Sequence, residues 1–283
     1  MALRHTSLRN FCLLLRSQPH SRSTSTSTPR SSVSPIELSH FSALASSWWE
    51  PHGSSRLLHL MNPLRHEFIA SCLTSHPTAS KHNTKSLRYL DVGCGGGIFT
   101  ESAARLPSTA KVVGIEPSRE VINVARAHAC QDSMLLEPGR LEYKHACIED
   151  LALPQKVEEQ FDVLSLFEVL EHIEKPAPFL AKCLPFVKPG GWLVLSTIAR
   201  TWTSWVTTKL VAEDLLRIVP RGTHDWGQYV NERELRGWFG KQDGWGRDGC
   251  LRTMGVVYVP GLGWRMVERG ESWGNYFFGV RKD

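Results

Sequence analysis

No stretch of this chain approaches the roughly 18 consecutive apolar residues of a membrane-spanning helix, so a soluble or peripheral protein is expected. The seven cysteines contain no C-x-x-C pair, which argues against a disulfide framework or a cysteine zinc site. No acidic residue occurs in the first 36 positions, which hold Arg4, Arg9, Arg16, Arg22 and Arg30. Without those five the 33 basic residues become 28, against 28 acidic ones, so the formal charge of +5 belongs to the N-terminal segment alone. A body of balanced charge, with no basic stripe interleaved with aromatics, lacks the electrostatic footprint of a nucleic-acid binder. What 283 residues do supply is enough chain for a full core, as one large domain or two small ones.

Residues 1–34 are rich in Arg and Ser around a Leu/Phe/Cys patch at 8–15, and they resemble a mitochondrial presequence, with processing expected between Ser21 and Ser34. A disordered basic tail has the same composition. The remainder, 38–283, is expected to form one domain. Helical spacing predicts a first helix over 39–49 and a second over 63–73, with Pro63 in its first turn. After a polar linker at 74–85, strands predicted at 87–92, 111–116, 141–145, 161–167 and 192–197 alternate with helices at 98–106, 118–129 and 179–187. That alternation predicts an α/β fold of Rossmann-like type: a mostly parallel sheet with helices on both faces. The last third, rich in Gly, Trp and Pro, predicts a short antiparallel edge from strands at 254–259 and 276–280.

The chain is organised around Asp91-Val92-Gly93-Cys94-Gly95-Gly96-Gly97-Ile98, between the first strand and its helix. Glycines there permit φ > 0 and a close approach of the backbone to a ligand, and the helix start offers unpaired N–H groups. A dinucleotide fingerprint, G-x-G-x-x-G, would need glycine at Ile98 or Thr100, so it is not met. The pattern resembles instead the first motif of methyltransferases that bind S-adenosylmethionine; a purely structural βα turn has the same local form.

Three further groups bear on chemistry. Glu116 ends the second strand, where a carboxylate can accept both ribose hydroxyls of an adenosine, a role that does not separate S-adenosylmethionine from NAD. Glu149 and Asp150, after the third strand, are weaker candidates for an adenine amino group. Arg65, placed near a helix start, needs an anionic partner there, either a ligand carboxylate or a surface salt bridge. In Glu168-x-x-Glu171-His172, just past the fourth strand, a helical continuation would put two carboxylates and an imidazole on one face. Such a group suits a divalent cation, or else is a solvated acidic turn.

Taken in order, Trp48-Trp49, Leu58-His59-x-x-Asn62-Pro63-Leu64-Arg65, the glycine turn, Glu168-x-Leu170-Glu171-His172, Val187-Lys188-Pro189-Gly190-Gly191, Glu213-Asp214 through Val219-Pro220-x-Gly222-Thr223-His224, and Tyr258-x-Pro260 resemble the ubiquinone biosynthesis O-methyltransferases over about residues 38–280. The resemblance implies a class I methyltransferase fold, cofactor contacts at Arg65, Gly93, Glu116 and Phe167, and magnesium at Glu168, Glu171 and His172. A nitrogen ligand suits zinc, manganese, iron or cobalt better, so another divalent cation stays open. Glu116 stands where many relatives have aspartate, which lengthens the arm to the ribose and keeps its charge.

The implied reaction is methylation of ring hydroxyls on polyprenylated dihydroxybenzoate and demethylubiquinol intermediates. The implied setting is a multi-protein biosynthetic complex, peripheral on the matrix side of the mitochondrial inner membrane. His224 and Asp225 are candidates for a general base. The 201–221 insert, with Trp202 and Trp205, suits a membrane interface, a lid over a greasy substrate, or packing on the core. An enzyme for another small catechol, and a methyltransferase-like scaffold subunit, are the competing expectations.

Overall fold

A computed structural model of the chain describes residues 32–53, 55–75, 86–201, 229–247 and 250–283. The leader up to residue 31, the insert beyond Thr201, and His224 and Asp225 lie outside the described residues.

Eight strands form one sheet: β1 (Leu87–Val92), β2 (Thr109–Glu116), β3 (Leu141–His145), β4 (Phe161–Phe167), β5 (Val187–Ile198), β6 (Leu251–Val259), β7 (Gly263–Val267) and β8 (Asn275–Arg281). Their order is β3-β2-β1-β4-β5-β8-β6-β7, parallel through β5, with β8, β6 and β7 joined antiparallel. The expected α/β fold with its antiparallel edge is therefore present, and the edge gains β7, which the sequence reading had not separated from the loop.

Strand periodicity sorts the core onto two faces. Leu90, Val92, Leu164, Leu166, Leu193, Leu195 and Phe278 bury one face against α5 (Pro176–Cys183) and α6 (Glu232–Phe239). Tyr89, Val163, Phe167, Trp192, Val194 and Phe277 bury the other against α2 (Arg56–Thr74) and α3 (Ile98–Ala104). Helix α4 (Arg119–Ala129) starts at Ser118, whose hydroxyl accepts from the Val121 N–H, and presents Val121, Ile122, Ala125 and Ala129 inward. Where α2 crosses β8, only glycine fits at position 279, since a Cβ there would lie 2.7 Å from Cys72 Sγ.

Two helix expectations need correction. The first helix, α1, spans Pro35–Leu44, capped by Ser34, and a 3-10 turn over Ala45–Ser47 delivers Trp48. Pro63 is not in a first turn: it lies inside α2, so Arg65 is mid-helix. A proline ring there costs a hydrogen bond. The helix passes through it because Pro63 faces solvent while Met61, Arg65, Phe68, Ile69 and Cys72 anchor the opposite side.

Candidate active site

The carboxyl ends of β1, β2, β4 and β5 open into a cavity of about 450 Å³, walled by α1, the start of α2, and the β6–β7 hairpin. Strand order reverses between β1 and β4, the place where open α/β sheets hold ligands. Asp91 and Ser165 project to the same face from these neighbouring strands. Asp91, 2 % exposed, accepts from Ser165 Oγ at 2.7 Å and from Thr100 Oγ1 at 2.6 Å. It thereby ties strand ends to α3, and burial raises its pKa against those two bonds.

Gly93 takes φ 71°, and a Cβ on it would meet Val169 at 2.7 Å. Beyond it, the backbone at Gly95 and Gly96 lies directly under the Trp48 indole, so that any side chain at either position would occupy the ring's space. Trp49 Nε1 donates to the Gly96 carbonyl at 2.9 Å and stacks on His128, ring centroids 3.4 Å apart. In the sequence the tryptophan pair stands at the end of the first predicted helix and within the family resemblance, without an assigned structural role. Its position just before Pro51 and Gly53, at the end of a helix, was the available signal that it leaves the helix to cover something.

Glu116 is buried and divided between two amides: Oε2 accepts from Gly95 N–H at 3.1 Å and Oε1 from Ser118 N–H at 2.9 Å. Burial pushes its pKa up to about 7, with Asp91 adding to the rise. It lines the cavity together with Glu149, which accepts from Ser32 Oγ. Asp150 is spent locally, accepting from the Cys147 N–H at 2.8 Å.

Arg65 is 4 % exposed with its guanidinium 4.8 Å over the Phe167 ring. Its Nε has no hydrogen-bond partner, and no ion pair to it exists among the described residues. Burial lowers its pKa, opposed at longer range by Glu168, Asp91 and Glu171. A buried, unpaired guanidinium is costly unless an anion completes it. Phe167, at the end of β4, is held edge-on by Phe99 at 4.7 Å.

The acidic group beyond β4 departs from the helical face expected of it. Glu168 adopts φ 56°, followed by a single 3-10 turn, Leu170–His172, so 168, 171 and 172 do not share a helix face. The strained residue is held by Ser196: the Glu168 N–H meets the Ser196 carbonyl at 3.2 Å, and Ser196 Oγ donates to Glu168 Oε1 at 2.6 Å. Glu171, 4 % exposed, accepts from Thr197 Oγ1 at 2.9 Å, and burial, then the Glu168 charge, pushes its pKa up to about 8. His172 Nδ1 lies 2.8 Å from Glu37 Oε2. Its pKa is raised, because Glu37, Glu171 and Glu168 outweigh burial. Among the described residues no three His, Cys, Asp or Glu side chains are spaced as a formed metal site. All three expected ligands nevertheless face one cavity. As donors the set is chemically compatible with a cation: two neighbouring carboxylates, each disfavouring the other's charge, beside an imidazole.

Comparison with known proteins bears on the family and the fold. The methyltransferase domain family matches residues 64–245. The chain is 38% identical to the mitochondrial ubiquinone biosynthesis O-methyltransferase of Candida albicans, covering 89% of this chain and 86% of that one. It is 41% identical to the Schizosaccharomyces pombe enzyme of the same name, over 89% and 87%. The bacterial namesake of Bradyrhizobium sp. is 40% identical over 83% and 88%. Among solved structures, magnesium protoporphyrin IX methyltransferase from Synechocystis superposes with a TM-score of 0.56 at 14% identity, covering 88% of this chain and 96% of that one, which shows a shared fold. On sequence and architecture together, the chain belongs to the ubiquinone biosynthesis O-methyltransferase family, built on the class I methyltransferase fold.

Proposed function

We propose that this cavity binds S-adenosylmethionine and that the protein methylates ring hydroxyls of polyprenylated dihydroxybenzoate and demethylubiquinol intermediates in ubiquinone biosynthesis. The observation that carries the reading is Arg65, a buried cation beside the glycine turn whose Nε has no hydrogen-bond partner and which makes no ion pair among the described residues. An amino-acid carboxylate is the ligand group that fits it, forming a charge-assisted fork. At the other end of the turn, Glu116 keeps lone pairs for ribose hydroxyls, and Gly93 leaves room for the chain between the two ends.

The donor supplies an electrophilic methyl on a sulfonium. The protein's part is alignment: Arg65 and Glu116 fix the two ends of the donor, and the Trp48–Trp49 cover holds the glycine turn, so orientational entropy is spent before reaction. Glu168 and Glu171 are acidic groups that disfavour each other's charge, so positive charge in the cavity would stabilise both as carboxylates. Glu168, Glu171 and His172 would hold magnesium or another divalent cation, whose chemistry there is Lewis-acid lowering of the pKa of adjacent ring oxygens. The other wall, from Val256, Tyr258, Pro260, Trp264 and Trp273, is apolar and suits the start of a prenyl tail.

No described helix is long and apolar enough to cross a membrane. Peripheral attachment on the matrix side of the mitochondrial inner membrane, within a biosynthetic complex, is the setting we propose. The named mitochondrial relatives and the Arg- and Ser-rich leader support it. A methyl-transfer assay with a prenylated catechol, with and without chelator, comparing the intact protein with Glu171→Ala, tests both parts. Product that forms equally in every arm removes the cation from the reading. Calorimetry showing no affinity for S-adenosylmethionine or its demethylated product overturns the whole.

A further inference from the structure

The segment ahead of the glycine turn is seated on the turn that carries the acidic group. Val33 pairs with Ile173 in an isolated antiparallel bridge, directly after His172. Phe41 sets its edge against the His172 ring, with centroids 4.9 Å apart and planes at 84°. From the first turn of α1, begun by the Ser34 cap, the Glu37 carboxylate reaches His172 Nδ1 at 2.8 Å. The two side chains are only 25% and 13% exposed. His172 lines the cavity whereas Glu37 stands behind it, outside the lining.

An imidazole has two distinct nitrogens, and the partner of one decides what the other can do. A carboxylate at Nδ1 keeps the proton there. In the neutral ring, Nε2, which has no protein partner among the described residues, is then the atom with the lone pair. We infer that Glu37 is a positioning residue for the reaction: it fixes His172 in the Nδ1–H tautomer and presents Nε2 to the cavity that Glu168 and Glu171 also line. What Nε2 would do there, donating its lone pair to a divalent cation, rests on the transferase reading; the tautomer does not. The same contact makes α1, which lies outside the matched family domain, part of the reaction site.

The test uses the full chain labelled with 15N-histidine, with His172→Gln to identify the resonances, at a pH where the ring is neutral. Nuclear magnetic resonance should find the His172 proton on Nδ1 in the unaltered protein. In Glu37→Ala it should move to Nε2, while kcat and the affinity for Mn²⁺ each fall about 10- to 100-fold. Glu37→Asp should recover part of both. Affinity for S-adenosylhomocysteine should stay unchanged, because Arg65 and Glu116 are untouched. A proton found on Nε2 in the unaltered protein overturns the inference, even if no variant folds. So does a Glu37→Ala loss that appears wholly as weaker S-adenosylhomocysteine binding with the tautomer intact, since Glu37 would then only seat α1 and Trp48. Absence of S-adenosylhomocysteine binding by the unaltered protein sinks the transferase reading, and is seen separately from the tautomer.

Discussion

On the proposed reading, Arg65 is a group whose worth to binding and worth to folding have opposite signs. Unpaired and buried, it costs stability in the ligand-free protein, so Arg65→Met is expected to raise the melting temperature of that form. The same change should weaken S-adenosylhomocysteine binding by about 2 kcal/mol or more, roughly 30-fold, as read by calorimetry. Glu116 couples binding to pH in a similar way. Its folded pKa of about 7 lies above the ordinary 4.5, with Asp91 the charged neighbour that adds to the rise. The stability contributed by the buried neutral acid is fully present below 4.5 and is lost as pH rises through about 7. If Glu116 holds the ribose as proposed, donor affinity runs the other way, because the ionised carboxylate accepts both hydroxyls more strongly than the neutral acid, so it should fall as pH drops through about 7. Melting curves and binding isotherms between pH 5 and 8.5, roughly, should show both slopes, and Glu116→Gln should flatten both.

At the scale of elements, the glycine turn and the Trp48–Trp49 segment act as one unit. Gly96→Ala would drive its methyl into the Trp48 ring, lowering both stability and donor affinity. Trp48→Ala removes the obstacle, so the double variant should be less damaged than the sum of the singles, by about 0.5–3 kcal/mol in a melting cycle. Additive losses would show that the ring does not rest on the turn. Much of this level was legible in the sequence. Alternating apolar residues located β1, β2, β4 and the body of β5, and the spacing from Asp91 to Glu116 placed both carboxylates at strand ends. Helix α6 could also have been found, because Asn231 and Glu234 form a capping box ahead of Leu235 and Phe239, yet the Gly- and Trp-rich surroundings hid it. The turn at Glu168 was not legible. Nothing in a glutamate announces φ 56°; among the described residues, long-range bonds to Ser196 and Asn275 hold it there. Pro63 misled for the converse reason: local rules end or start a helix at proline, and tertiary burial of Met61 and Arg65 overrode them.

At the scale of the molecule, the reaction cavity is assembled from distant parts of the chain. The first part is α1 with Trp48, the second the parallel strand ends, and the third the β6–β7 hairpin, whose Trp264 Nε1 donates to the Leu57 carbonyl of α2's start at 2.9 Å. Helix α2, which carries Arg65, is registered on the sheet by Phe68 stacked on Phe277 at 5.2 Å and by the missing side chain at Gly279. The N-terminal contribution also bears on maturation. Ser32 bonded to Glu149 and Val33 paired with Ile173 belong to the folded body, so if the proposed presequence is removed, a cut downstream of them would also unpick the turn that carries Glu171 and His172. On the proposed mitochondrial setting, any processed N-terminus is expected at or upstream of Ser32, and mass spectrometry of the protein isolated from its source reads it directly. A start at or beyond Ser34 would mean that the enzyme works without that clasp.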